Sequence, residues 1–262
     1  MYKSCNHVRN SAMQASNEKF RGRTYLVTGC SRGIGRHLTL ALIKRGATVH
    51  GVARTEETLR KLSEELGGKL TYTACDLTTD ECINQVVRDV NKHHGTPYGI
   101  INNAGAGALG NPLELGPETY EKLAKLLYLT PVKLTLRLLP KMIERGEGVI
   151  VNVITLGIIT HIKGLEAYLA PKHALHRFSK DLRDYLTPKG IKVITAYPPA
   201  TRTDFFKGQG LQKLYERMVS NPLTKWSVRS PEDVAETIIN AIESGKEIVT
   251  VPRPARILLI GK

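Results

Sequence analysis

Short apolar, β-branched runs alternate along the chain with longer stretches whose apolar positions recur every three or four residues. Residues 24–28, 48–53, 70–74, 98–102, 149–153, 192–197 and 248–251 read as strands. Residues 34–45, 56–66, 80–93, about 118–145, 168–186 and 231–244 read as helices. Gly46 closes the first helix and Gly67-Gly68 the second, where a chain leaving a helix often needs a positive φ. Strict alternation of strand and helix predicts a single α/β domain: a doubly wound, seven-stranded, mostly parallel sheet with helices on both faces. Ligands of such sheets bind beyond the carboxyl ends of the strands, near the point where strand order reverses.

The alternation breaks once, over 207–225, between the sixth strand and the last helix. This mixed segment holds or adjoins Phe205, Phe206, Leu211, Leu214, Tyr215 and Trp226. An excursion at the ligand end of a sheet is often a lid, and about 204–227 is assigned that role. Residues 1–20 are polar and lack an apolar core, which predicts a flexible leader before one domain over 21–262. Few acids stand in that leader, so an organelle address stays open beside a cytoplasmic location. No apolar stretch reaches the roughly 20 residues a membrane span needs, and a soluble protein is expected.

Four cysteines, Cys5, Cys30, Cys75 and Cys82, form no CxxC pair. Free thiols in a reducing compartment and no metal site are expected. The formal net charge is +14. Lys and Arg are spread along the whole chain with few aromatics to stack bases, so nucleic acid is not the expected partner. A charged small ligand suits this balance better.

The chemistry begins after the first strand. Thr28-Gly29-Cys30-Ser31-Arg32-Gly33-Ile34-Gly35 links that strand to a helix. Glycines allow the backbone to approach a pyrophosphate, and the helix N-terminus offers free N–H groups to it. At the end of the second strand, Ala53 stands where an NAD-binding domain carries an acid, and Arg54 follows. A guanidinium grips a 2′-phosphate, and Arg32 adds a second positive charge, so NADPH is favoured over NADH.

The glycine loop resembles the TGxxxGxG of the classical short-chain dehydrogenase/reductase family, a Rossmann-like fold. Cys75-Asp76-Leu77, Asn102-Asn103-Ala104-Gly105 and Tyr168-Leu169-Ala170-Pro171-Lys172 match further family motifs in order, over roughly 24–204. A second YxxxK, Tyr185 to Lys189, sits at a helix end broken by Pro188 and Gly190. Tyr168 is preferred because it follows the fifth strand and lies thirteen residues after the hydroxyl of Thr155. Pro171 is placed in the first helical turn, where N–H groups have no helical partner.

The resemblance implies hydride transfer between a nicotinamide and a carbonyl or its alcohol. Tyr168 would be the proton donor, Lys172 would lower its pKa and hold the nicotinamide ribose, and Thr155 would bind the substrate oxygen. It implies cofactor contacts from Gly29, Ser31, Arg32, Gly33, Ile34, Gly35, Arg54, Asp76, Leu77, Asn103, Ala104, Gly105, Tyr168, Lys172, Pro198, Thr201 and Thr203. It also implies a homodimer or homotetramer, which the nearly all-round apolar helix near 118–140 would suit.

Three positions depart from the family pattern. Thr155 replaces a serine, Pro198-Pro199 replaces Pro-Gly, and Tyr128-Leu129-Thr130-Pro131 matches the stretch whose asparagine supports a proton relay. On that match Tyr128 replaces the asparagine, and its hydroxyl could join a relay or its ring fill the space. A non-catalytic or repurposed NADP(H)-binding protein of the same fold is therefore the alternative. Leu109, Leu113, Leu156, Ile158, Leu165, Phe205 and Phe206 outline an apolar pocket for a ketone or 3-oxoacyl substrate. His161 and Lys163 read as solvated loop residues.

Overall fold

The structure, a computed structural model, describes residues 18–221 and 228–251. Cys5, Trp226, most of the expected leader and the end of the expected lid lie outside the described residues. Seven strands form one sheet: β1 (Thr24–Thr28), β2 (Thr48–Ala53), β3 (Leu70–Ala74), β4 (Gly99–Asn102), β5 (Gly148–Val153), β6 (Ile191–Tyr197) and β7 (Ile248–Thr250). Their order is β3-β2-β1-β4-β5-β6-β7, and every pairing among them is parallel. The strand order reverses between β1 and β4, so the ligand crevice opens at their carboxyl ends.

The helices are α1 (Gly33–Lys44), α2 (Glu56–Glu65), α3 (Asp80–His94), α4 (Pro112–Ala124), α5 (Thr130–Arg145), α6 (Glu166–Leu186), α7 (Leu211–Ser220) and α8 (Pro231–Ser244). The central strands are buried along their whole length, as a sheet covered on both faces requires. One core lies between the sheet and α1, α2 and α8, around Val27, Leu42, Leu59 and Ile238. The other lies under α3, α5 and α6, around Val86, Leu134, Leu138 and Leu182. No helix among the described residues is long and apolar enough to cross a membrane.

Several expectations need correction. Phe20, placed in the leader, is fully buried in the first core, its ring 6.0 Å from that of Tyr25. The domain therefore includes it. Cys75 and Cys82 are joined in a disulfide, with Cα atoms 5.5 Å apart, where free thiols were expected. The cause is local. Asp76 accepts from the Thr78 N–H and Thr79 caps α3 by accepting from the Cys82 N–H, so the chain folds back within seven residues. Cys30 remains a free, buried thiol, and burial pushes its pKa up to about 12.

The helix expected at about 118–145 begins at Pro112, where Asn111 accepts from the Leu113 N–H at 3.0 Å. It is interrupted at Gly116 (φ 67°) and passes through one π-helical turn, Lys125–Leu129, before α5. Leu129 and Leu136 keep outward, partly open faces. The described part of the segment assigned as a lid, about 204–227, holds a 3₁₀ turn at Asp204–Lys207 and then α7.

Candidate active site

Thr28 and Asn103 build the crevice at the switch point. The Asn103 and Ala104 N–H groups both donate to Thr28 Oγ1 at 3.0 Å. Asn103 Nδ2 returns bonds to Thr28 O (2.9 Å) and Gly29 O (3.3 Å). The ends of β1 and β4 are thereby tied together through side chains, beyond the last ladder bond. Gly29 takes φ +68°, and a Cβ there would fall 2.9 Å from Ala104 Cα. Gly35 is tighter: a Cβ would lie 2.0 Å from Gly29 O. Only glycine fits the cradle at these two places.

A cavity of about 1510 Å³ opens over these strand ends. It exceeds the usual volume of a small-ligand pocket and can take a dinucleotide and a substrate together. Gly29, Ser31, Arg32, Gly33, Ile34, Arg54, Asp76, Leu77, Asn103, Ala104, Gly105, Thr155, Tyr168, Lys172, Pro198, Thr201 and Thr203 all line it. Gly35 alone of the expected residues does not; it acts from behind, by letting Gly29 sit against α1. Arg54 is exposed at the rim. The Asp76 carboxyl is held below its ordinary range, chiefly by the Thr78 N–H, with Arg54 and Lys122 adding to the effect. Thr203 packs its Cγ2 where a Cβ on Gly33 would meet it at 3.1 Å.

Tyr168 and Lys172 stand one turn apart on α6, whose first turn is anchored by Tyr120 Oη donating to Glu166 Oε1 at 2.8 Å. Tyr168 is 9% exposed, and its ring centroid is 5.2 Å from that of Phe205. Burial pushes its phenol up to about 12, while the Thr155 hydroxyl acts in the opposite direction. The phenol is therefore fully protonated near neutral pH. Lys172 is 4% exposed and donates from Nζ to Val153 O at 2.6 Å. Burial brings its ammonium down to about 7. Thr155 Oγ1 accepts from the Gly157 N–H at 3.0 Å, so its O–H is left to donate. The rejected pair lies elsewhere: Tyr185 is 60% exposed, with Lys189 Nζ 4.4 Å from its ring centroid.

Two details differ from expectation. Because α6 starts at Glu166, Pro171 falls in its second turn, not the first. Tyr128, expected at the asparagine position, does not line the cavity. It packs half-buried beside Ile154, Ile158, Leu175 and Tyr197. Leu127, fully buried, belongs instead to the apolar cluster that contains Tyr168. Neighbouring residues on a helix point about 100° apart, so the two side chains take different surroundings. An apolar side chain thus stands on the active-site flank.

Leu156, Leu165, Phe205 and Phe206 line the cavity as expected. Leu109, Leu113 and Ile158 do not; Leu113 is 92% exposed and Ile158 is buried in another cluster. His161 and Lys163 are exposed and outside it. The sequence reading missed Leu123, Leu126, Ile159, Ile162 and Met218 as lining residues. The α7 residues Leu211, Leu214 and Met218 share one helical face, a spacing that marks them as wall rather than surface.

The family model described as short chain dehydrogenase matches residues 23–213. The chain belongs to the short-chain dehydrogenase family. It is thus an oxidoreductase of a fold that binds a nicotinamide cofactor and acts on CH–OH and C=O groups. It is 31% identical to a fatty acyl-CoA reductase of Acinetobacter baylyi, over 92% of this chain and 77% of that one. An L-sorbose reductase of Gluconobacter frateurii, solved with NADPH and L-sorbose, shares its structure with a TM-score of 0.76. The two are 26% identical, over 88% of this chain and 94% of that one. A 3-ketoacyl-(acyl-carrier-protein) reductase of Brucella melitensis, solved with NADH, has the same fold at TM-score 0.79 and 24% identity, over 88% and 97% of the two chains.

Proposed function

We propose that this dehydrogenase is an NADPH-dependent carbonyl reductase acting on an apolar ketone or a 3-oxoacyl compound. The reading rests on the contrast between the two ends of one cavity. At one end Ala53 stands where an acid would bind a ribose 2′-hydroxyl, and Arg54 follows it. At the other, Tyr168 sits among Leu156, Leu165, Phe205 and Phe206. The name of the fatty acyl-CoA reductase relative agrees with an acyl chain against those walls.

The glycine loop, Asp76, Leu77, Asn103, Thr201 and Thr203 would hold the dinucleotide, with Arg54 and Arg32 toward its 2′-phosphate. Fit is supported by the close approach at Gly29 and Gly35, where no side chain intrudes on the cradle. When bound, the nicotinamide supplies the hydride. Tyr168 gives its phenolic proton to the carbonyl oxygen as charge develops there. Thr155 donates its O–H to the same oxygen. Lys172, with a pKa near neutrality, offsets the charge left on the phenolate and returns a proton toward it. The 3₁₀ turn and α7 close the apolar end and keep water from it.

Arg54→Ala tests the cofactor half of this reading. The variant should raise the Kd for NADPH about tenfold or more, from loss of a charge-assisted contact. The Kd for NADH should stay within roughly twofold, since NADH has no phosphate to lose. Equal losses for both cofactors, measured by fluorescence titration, would remove Arg54 from 2′-phosphate recognition.

A further inference from the structure

Among the described residues, three buried side-chain polar atoms have no hydrogen-bond partner: Tyr25 Oη, Asn102 Oδ1 and Arg229 Nε. Only Arg229 lines the cavity. Its guanidinium enters none of the ion pairs or side-chain hydrogen bonds found among the described residues, whereas Arg23, Arg36, Arg45, Arg60, Arg177 and Arg183 are each matched to a carboxylate. A buried donor without an acceptor costs free energy, so a native fold that keeps one at a cavity wall invites an acceptor from within the cavity.

The backbone of Arg229 is fixed in place. Its N–H donates to Ala200 O and its carbonyl accepts from the Arg202 N–H, both at 3.0 Å, forming a parallel bridge with Thr201. Arg229 therefore stands beside the loop from Pro198 to Thr203, whose Thr203 packs against Gly33. It also precedes α8, which begins at Pro231. α1 follows β1 and α8 precedes β7 in a parallel sheet, so both helices begin at the carboxyl edge of that sheet. They pack side by side, joined by Arg45 Nη2 and Glu236 Oε2 at 2.8 Å. Arg229 thus belongs to the level of the α1 N-terminus, on the far side of the cavity floor from the β2 end that carries Arg54.

We infer that Arg229 is a cofactor-binding residue that clamps the pyrophosphate of the dinucleotide, alongside the glycine loop. The ligand chemistry is a diphosphate diester, which offers several oxygens to a planar fork of N–H donors. The N-terminus of α1 and the Arg229 guanidinium would both hold the diphosphate. The inference needs a nicotinamide dinucleotide in the cavity, which the family establishes, but not the choice between NADPH and NADH.

Direct binding to the full chain tests it. Arg229→Met removes the fork and keeps an unbranched apolar stem. It should raise the Kd for NADPH and for NADH by the same factor, about ten- to a hundredfold. Binding of adenosine 2′-monophosphate, which has the 2′-phosphate and no diphosphate, should stay within roughly twofold. Arg229→Lys, which keeps the charge but not the fork, should fall between wild type and the methionine variant and shows that the fold survives. Unchanged dinucleotide affinity in a folded Arg229→Met protein would overturn the clamp, as would an equal loss of adenosine 2′-monophosphate binding. A wild-type protein that bound neither dinucleotide would overturn it together with the cofactor reading.

Discussion

Replacing Tyr168 with phenylalanine should lower kcat by about a hundred- to ten-thousandfold, the range ascribed to a positioned general acid. The rest of the site argues that the loss falls on chemistry alone. The ring stays in the cluster formed with Leu127, Leu165 and Phe205, so packing is kept. The hydroxyl that is lost is buried and strongly disfavours ionisation, and its removal should change stability by less than about 1 kcal/mol. Lys172 still has Val153 O as acceptor, so no new buried donor is orphaned. Cofactor affinity should stay within roughly twofold. Steady-state assays with cofactor titration on the same preparation separate these terms. A variant that kept a tenth or more of wild-type kcat would show that the proton comes from elsewhere.

Gly35→Ala should be nearly as damaging by a different route. The added Cβ would lie 2.0 Å from Gly29 O and 2.5 Å from Asn103 Nδ2. Neither neighbour can yield cheaply. Gly29 is held by its N–H to Val52 O at 2.7 Å, and Asn103 is the tie between β1 and β4. Displacing them would open the floor of the cradle. We expect a stability loss of roughly 3 kcal/mol or more, at the upper end for overpacking a tight site. That corresponds to a fall in Tm of about 6 °C or more for a chain of this size. Dinucleotide Kd should rise at least about a hundredfold, because the loop backbone that faces the pyrophosphate must move. Differential scanning calorimetry and fluorescence titration read the two effects. Wild-type values in both would mean that the loop has slack that the geometry denies.

These effects follow from features that a reader of the sequence could partly see. The bounds of β1, β2, β3 and α8 fall at the same residues in sequence and structure, because each is a β-branched run or a capped helix with sharp stops. Ser230, for example, caps α8 by accepting from the Asp233 N–H at 3.0 Å. The cradle was legible for the same reason: its glycines fall directly between a β-branched strand and the helix that follows it.

What was hidden depends on geometry that spacing does not encode. α4 starts at Pro112, ahead of the expected bound, because the chain kinks at Gly116 and then continues as helix. The π turn at Lys125–Leu129 leaves no mark in the apolar spacing, so the sequence does not tell that Leu127 rather than Tyr128 joins the cluster of Tyr168. The Cys75–Cys82 bridge needs the Asp76 and Thr79 turns that bring the two together. Arg229 carried no signal at all. Nothing near Ser230-Pro231 announces a cavity, and its neighbours there, Ala200 to Arg202, lie almost thirty residues earlier.

The central claim is that a protonated Tyr168, set among apolar walls, completes carbonyl reduction at the expense of NADPH. The measurement that meets it most directly is a titration of the wild-type protein with NADPH and NADH, followed in the same sample by a series of apolar ketones and 3-oxoacyl thioesters. NADPH should bind more tightly than NADH, and its fluorescence should then fall in step with alcohol formed, fastest for the longer chains. Tight NADPH binding with no oxidation by any member of the series would contradict the account. It would point instead to a protein of this fold that holds the dinucleotide without turning it over.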